Sequence, residues 1–329
     1  MLLLPEFIYH AARSLPDACR VLAENPGDAQ PIAGGTDLLV SMKQGLFAPR
    51  YLVGLGQLES LSHLRFDEHG LTIGALVTLQ QLKSSSVVAE HYPLLWEAAS
   101  KAGSWHHQGM GTVGGNACLD TRCRFYNQDE FWRRAYGPCY KQDGETCYVL
   151  RGKKECVAAF SGDVAPALVA LEATVTVVGP EVERRFPLPM LYSGDGRKPL
   201  TLEPGYIVTE FRLPPPDVGA DGFYEKFRRR GTIDFPLAGI AVSLVRPNGN
   251  GRCRRARIVL TGLGPQPLLA EEAAAVLEDQ PLTAQTISAA GKALWKVARP
   301  TKTANAEPNH RKRMVRLLFE RRLRAVAGL

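Results

Sequence analysis

The pattern of apolar and polar positions divides the chain into short strands and helices. Leu2 to Ile8 reads as a strand. Ser14-Leu15-Pro16-Asp17-Ala18 opens a helix, with Ser14 as N-cap and proline in the first turn, and Pro26-Gly27-Asp28 ends it. Pro31-Ile32-Ala33 is a strand, Gly34-Gly35-Thr36-Asp37 a turn, and Leu38 to Lys43 a helix. Tyr51 to Leu55 and Leu71 to Ala75 are strands, the second preceded by a turn at Asp67 to Gly70. Thr78 caps a helix that starts at Leu79, and another starts at Tyr92-Pro93. This alternation predicts an α/β or α+β domain rather than a sandwich.

The second half continues the pattern. Ala165 to Glu172 reads as a helix and Ala173 to Gly179 as a β-branched strand. Asp195 to Pro199 is a loop, and Tyr206 to Leu213 a strand. Pro214-Pro215-Pro216 with Gly219-Ala220-Asp221-Gly222 is the clearest linker. Beyond it come strands at Gly222 to Arg228, Ala238 to Val245 and Arg255 to Gly262, then helices at Leu269 to Leu277, Thr283 to Lys296 and Asn309 to Val326. In the last helix Arg311, Lys312, Arg313, Arg316, Arg321, Arg322 and Arg324 interleave with Met314, Leu317, Leu318, Phe319, Leu323 and Val326. That is the pattern of an amphipathic helix with a solvated basic face, or a face for an acidic partner. No nucleic-acid motif accompanies it.

Composition adds bounds. The 329 residues suffice for two or three domains, and 45% hydrophobic with 22% charged residues is ordinary for a globular protein. No apolar run approaches the roughly 20 residues of a membrane span. The start, Met1-Leu2-Leu3-Leu4-Pro5-Glu6, lacks the basic and apolar regions of a secretory signal, so the expected location is the cytoplasm. Thiols stay reduced there, and clustered cysteines point to metal or redox chemistry.

Two stretches carry that chemistry. Gly34-Gly35-Thr36-Asp37 lies between a strand and a helix, where phosphate can approach backbone; a plain tight turn reads the same way. Gly111-Thr112-Val113-Gly114-Gly115-Asn116 has the composition of a backbone nest, with glycines for positive φ. Gly109 to Gly114 fits G-x-G-x-x-G, but no strand precedes it, so it is not a dinucleotide fingerprint. Between this motif and Asp163 lie Cys123, Cys139, Cys147 and Cys156, spaced C-x15-C-x7-C-x8-C among basic and aromatic residues. Helical periodicity is poor there, and turns are expected at Tyr136 to Cys139 and Asp143 to Glu145. Four thiolates on a metal would staple such a segment. Zinc and an iron–sulfur cluster both remain open, since the spacing matches neither's compact motif. Cys19, Cys118 and Cys253 are read as non-ligands.

Four motifs together resemble the FAD-binding subunit of the xanthine dehydrogenase and carbon monoxide dehydrogenase family of molybdenum hydroxylases. They are Ile32-Ala33-Gly34-Gly35-Thr36-Asp37-Leu38; Gly111-Thr112-Val113-Gly114-Gly115-Asn116; Asp163-Val164-Ala165-Pro166-Ala167-Leu168; and Tyr224 to Arg230 with Asp234-Phe235-Pro236-Leu237-Ala238. The resemblance implies an α+β fold: a two-part FAD-binding domain of the vanillyl-alcohol-oxidase-like type, residues 1–55 and 56–215, and a C-terminal domain, residues 216–329, with a small antiparallel sheet and helices. It implies one FAD. The phosphates would lie on Ile32, Ala33, Gly34, Gly35, Thr36, Asp37 and Leu38 and on Gly111, Thr112, Gly114, Gly115 and Asn116. Asp163 would bond polar flavin or ribose atoms, Ile207 and Val208 would pack near the ring, and Lys226 would meet its edge. For Asp163 a helix cap, for Ile207 and Val208 plain core packing, and for Lys226 a surface lysine are the competing readings.

One departure is informative. In typical members about a dozen residues separate the positions of Asn116 and Asp163, whereas here a stretch of about 122–159 is inserted. An inserted cysteine cluster resembles the β subunit of 4-hydroxybenzoyl-CoA reductase. That likeness implies a [4Fe–4S] cluster on Cys123, Cys139, Cys147 and Cys156, electrons from ferredoxin, and reductive dehydroxylation of an aromatic acyl-CoA at a molybdenum site on another subunit. The implied partners are a large molybdopterin subunit and a small [2Fe–2S] subunit, as (αβγ)2, with neither nucleic acid nor membrane. Alternatives are the flavin subunit of an NAD-linked hydroxylase and, in another class, a zinc-binding scaffold.

Overall fold

The computed structural model describes residues 3–150, 152, 154–246, 252–302 and 306–329. Leu2, at the head of the first expected strand, and Arg151 and Lys153 of the basic stretch lie outside them.

The chain begins with a three-stranded parallel sheet. Tyr51–Gly54 is its middle strand, flanked by Ile8–Ala11 and Ala29–Ile32. The first strand therefore starts where the apolar pattern had it end. Its partner spans only four residues, and Ile8 pairs with Tyr51 at one end of that register. Helix Leu15–Glu24 makes the crossover; the Ser14 hydroxyl accepts from the Asp17 amide at 3.3 Å, and Ala18, Cys19, Val21 and Leu22 are buried. Parallel strands need such a covering helix because their connection must cross the sheet.

A five-stranded antiparallel sheet follows, in the order Leu64–Asp67, Gly70–Gly74, Ile207–Leu213, Thr174–Val178, Glu183–Pro187. Its middle strand is the last in sequence, and the segment between residues 75 and 173, the cysteine stretch included, is an excursion from this sheet. The apolar pattern misses Glu183–Pro187. Glu183, Arg184 and Arg185 are exposed, as on a charged edge strand that resists further pairing. Thr78 caps helix Leu79–Ser84 through a full capping box with Gln81, and Pro93 opens helix Pro93–Lys101. The short helices Ser86–His91 and Trp105–Met110 carry too few turns for a period to show.

The C-terminal sheet is four-stranded and antiparallel, in the order Leu268–Leu269, Arg255–Thr261, Ala238–Val245, Ala220–Phe227. Helices Ala284–Val297 and Pro308–Ala327 cover it, with Ile287, Leu294, Val315, Phe319 and Leu323 in one apolar cluster. One residue of the expected basic face is turned inward. Arg311 is 2% exposed and donates to the carbonyls of Leu237 and Thr301 at 2.6 Å and to that of Gly262. Leu317 takes the reverse place and is exposed. Arg311 supplies donors for carbonyls at three separate points of the chain, which a lysine cannot do in one plane. Among the described residues no helix is long and apolar enough to cross a membrane.

Candidate functional site

The first glycine loop leaves the parallel sheet at Ile32 and enters helix Leu38–Lys43. Gly35 has φ +67°, a conformation that glycine adopts without penalty. Gly34 is pressed against the second motif, since a Cβ there would fall on the Met110 carbonyl. Among the described residues the amides of Gly34, Gly35, Thr36 and Asp37 have no acceptor. Four consecutive N–H groups free on a half-buried loop form an anion-binding concavity, so these residues fit a flavin dinucleotide's phosphates. Ala33 packs against the N-terminal apolar cluster and Leu39 beneath Gly35, which holds the loop in place.

The second loop is built differently. Thr112 caps the short helix Val113–Ala117, its hydroxyl accepting from the Gly115 amide at 3.0 Å. The Gly111 amide goes to His107 O at 2.6 Å, Val113 to Val77 O at 2.9 Å, Gly114 to Ala75 O at 2.9 Å and Asn116 to Thr112 O at 2.9 Å. Only the Thr112 amide is left without an acceptor among the described residues. None of Gly111, Gly114 and Gly115 has positive φ, contrary to the nest geometry expected of them. The reason is close approach: a Cβ on Gly114 would lie 2.8 Å from both the Cβ and the carbonyl oxygen of Ala75. Asn116 accepts from the Val164 amide at 2.8 Å through Oδ1, tying the motif to helix Val164–Ala170 across the excursion.

Asp163 stands at the N-cap of that helix, but its side chain makes no capping bond. Its Oδ1 instead accepts from the Tyr224 hydroxyl at 2.7 Å and pairs with Lys226 Nζ at 2.9 Å. Lys226 also donates to Asp234 O at 3.1 Å, and its side chain is 1% exposed, so it is not a surface lysine. Burial lowers the Lys226 pKa and raises that of Tyr224 well above the usual phenol value. The charge pair is fully engaged and joins the FAD-binding half to the C-terminal sheet. Ile207 and Val208 are buried on neighbouring positions of one strand, Ile207 in the N-terminal cluster and Val208 in the central one. The structure thus brings Asp163 and Lys226 together, and it brings the two glycine loops together.

The inserted stretch is a closed loop. Arg122 and Ala159 exchange backbone bonds of 2.7 and 2.8 Å at its neck. Inside, Cys123, Cys139, Cys147 and Cys156 line one pocket with Phe125, Tyr126 and Lys141. All seven cysteines are free thiols. Burial raises the Cys123 pKa and pushes Cys156 up to about 11, with neighbouring thiols of the set adding to both. Cys118, pushed up to about 12 by burial, packs on the central core outside this pocket, and Cys19 and Cys253 sit in the two other cores. Four thiols on one zinc ion would stand about 3.8 Å apart. Among the described residues no group of three or more His, Cys, Asp or Glu side chains is drawn together for a single ion.

Sequence reasoning missed what anchors this loop. Helix Glu130–Tyr136, capped by Asp129, lies where little periodicity shows, because Phe131, Trp132 and Tyr136 point outward. On its buried side Arg133 donates to Gln44 O and Gly45 O at 2.8 Å, just past the first loop's helix. Lys141 reaches Asp120, Thr121 and the Gly196 carbonyl at 2.7 Å each. Arg122 pairs with Asp37 and lies over the Phe235 ring at 4.9 Å, and burial lowers its pKa to about 10. A cation at the junction of an insertion was the available signal for Arg122.

A mixed α/β frame with two apposed glycine loops and a separate C-terminal sheet is the arrangement of a flavin-binding subunit. The FAD binding domain of molybdopterin dehydrogenases matches residues 5–216, and the C-terminal domain of CO dehydrogenase flavoproteins matches residues 222–326, so the chain belongs to this family of oxidoreductase subunits. It is 27% identical over 322 residues to the carbon monoxide dehydrogenase medium chain of Hydrogenophaga pseudoflava, covering 98% of this chain and 97% of that one. The FAD-binding subunit of aldehyde oxidoreductase from Escherichia coli strain K12 is 31% identical over 287 residues, 82% of this chain and 86% of its own. Among solved structures, carbon monoxide dehydrogenase from Hydrogenophaga pseudoflava superposes with a TM-score of 0.80 at 26% identity, over 97% of this chain and 96% of that one.

Proposed function

We propose that this chain is the flavin and iron–sulfur subunit of a ferredoxin-linked aryl-CoA reductase of the 4-hydroxybenzoyl-CoA reductase type. The observation that carries this is the insert: four free thiols lining one pocket in a loop closed at its own neck. FAD supplies one- and two-electron exchange when bound, and a [4Fe–4S] centre single-electron exchange. The chain's own residues hold and space the two. Gly34, Gly35, Thr36 and Asp37 hold the FAD phosphates through their amides, helped by the free Thr112 amide. Asp163, held by Tyr224 and Lys226, fixes the joint between residues 56–215 and 216–329, and Ile207 and Val208 back the cleft.

The molybdenum centre and the acyl-CoA site belong, in this reading, to a large partner subunit, with a small [2Fe–2S] subunit completing an (αβγ)2 assembly in the cytoplasm. Exposed Phe131, Trp132 and Tyr136, in a stretch rich in arginine and lysine, support docking of an acidic ferredoxin on the insert. The test is iron and labile sulfide per chain, with the EPR signal of the reduced protein, across seven Cys→Ser variants. Serine at Cys123, Cys139, Cys147 or Cys156 should lose the iron and lower the melting temperature, while serine at Cys19, Cys118 or Cys253 should keep it. A full-iron Cys147 variant or an iron-free Cys118 variant would overturn the ligand set.

The second reading is an NAD-linked hydroxylase subunit, favoured by relatives named as dehydrogenases, such as the xanthine dehydrogenase FAD-binding subunit of Escherichia coli O157:H7. Rapid bleaching of the flavin by NADH would select it.

A further inference from the structure

We propose that Arg122 is the charge-compensating residue of the flavin site: it cancels the Asp37 carboxylate so that the first glycine loop can accept a diphosphate. This rests on the reading of that loop as the phosphate cradle. The four free amides of Gly34, Gly35, Thr36 and Asp37 attract an anion, yet the last of them belongs to a residue with a carboxylate. Asp37 is partly buried, its side chain 25% exposed, so water screens it poorly. An uncancelled carboxylate there would repel the phosphates that the amides attract.

Arg122 is the cation paired with Asp37. Its guanidinium is held from the other side by the Phe235 ring, its Nε is buried without an acceptor, and its side chain is 18% exposed. Three parts of the chain therefore converge on one charge: the first loop, the neck of the insert and the C-terminal segment. The backbone bridge to Ala159 fixes that charge in place. Flavin affinity is thereby tied to the closure of the insert, although the insert's thiols are separate from the flavin loop.

The experiment is FAD binding to the deflavinated full-length chain, followed by flavin fluorescence, for wild type and four variants. Arg122→Gln should weaken FAD about tenfold or more, because it leaves Asp37 uncompensated. Arg122→Lys, which keeps the charge, should stay within about threefold of wild type. Asp37→Asn keeps the amide and removes the repulsion, so it should bind at least as tightly as wild type. The double variant Asp37→Asn/Arg122→Gln should recover to within about threefold of wild type. An Arg122→Gln chain with wild-type affinity, or a double variant as weak as Arg122→Gln, overturns the assignment. Should Arg122→Gln fail to fold, Asp37→Asn decides: tenfold weaker binding overturns the proposal, and equal or tighter binding supports it. A wild-type chain that takes up no FAD instead fails the cradle reading itself.

Discussion

The two glycine loops touch each other and are similar in composition, yet they treat their backbone in opposite ways. Gly34 to Asp37 leave four amides in a row without a partner among the described residues, while Gly111 to Asn116 leave one. In the second loop the carbonyls of His107, Val77, Ala75 and Thr112 and the Thr112 hydroxyl take the rest. Buried or half-buried N–H groups are almost always paired, so a row of unpaired ones marks a place built for something else. The lesson is that glycine content reports close backbone approach, and only hydrogen-bond accounting tells whether the approaching group is a ligand or the protein itself.

The largest effect that tests this contrast is at the contact between the loops. In Gly34→Val the new Cβ would fall on the Met110 carbonyl, a backbone atom that cannot swing away. The loops must separate, and we expect FAD binding weakened by more than about a hundredfold, with stability lost by about 3 kcal/mol. Flavin occupancy after gel filtration and a thermal melt measure both. Retention of full occupancy at the wild-type melting temperature would mean that the loops do not meet as described.

Gly35→Val comes next. Its φ of +67° is strained for a β-branched side chain, at a cost of roughly 1–3 kcal/mol. The new methyl groups also crowd Leu39 and Ile32, whose side-chain atoms lie 3.1 and 3.2 Å from the Cβ position. FAD should weaken about tenfold, because the amides of Gly35 and Thr36 turn with the strained backbone. Wild-type affinity in a chain of lowered melting temperature would show that the strain is absorbed elsewhere and that these amides are not the cradle.

Much of this was legible in the sequence, and the failures have a common cause. Ser14 and Thr78 announce their helices because capping is local chemistry, readable within four residues. Strands Ala238–Val245 and Arg255–Thr261 show because both are packed along most of their length. The joint of Asp163 with Tyr224 and Lys226 does not show, since its partners are 61 or more residues apart. Helix Glu130–Tyr136 was hidden because its buried face is an arginine and its apolar residues face out. The four clustered thiols could be picked from seven by spacing, but their common pocket depends on the neck at Arg122 and Ala159, a pairing that no local pattern encodes.

Thr112→Ala probes the second loop from its cap. The hydroxyl satisfies the Gly115 amide, and its loss should cost about 1 kcal/mol of stability. The Thr112 backbone N–H survives the change, so FAD affinity should move less than about threefold. A drop in affinity of tenfold or more without a matching drop in melting temperature would mean that the hydroxyl serves the ligand rather than the helix.

The smallest effect is the most discriminating. Gly115 is exposed, lies within the short helix Val113–Ala117, and does not have positive φ. A Cβ there meets one atom, the Thr112 hydroxyl at 3.2 Å, which must give by a few tenths of an ångström. Against that crowding stands the helix preference for alanine over glycine, about 0.5–1 kcal/mol. The two nearly cancel, so Gly115→Ala should leave the melting temperature almost unchanged and FAD affinity within about twofold of wild type. Gly35→Ala, the same atom added to the other loop, must adopt a φ of +67° and should weaken FAD severalfold. The pair adds one methyl group to each of two adjacent loops, and the melting temperature of each variant reads the backbone strain separately from the loss of ligand. Equal losses would show that both loops hold phosphate and that the difference in free amides carries no meaning. A loss at Gly115 alone would reverse the assignment, with the Thr112 amide as the true cradle.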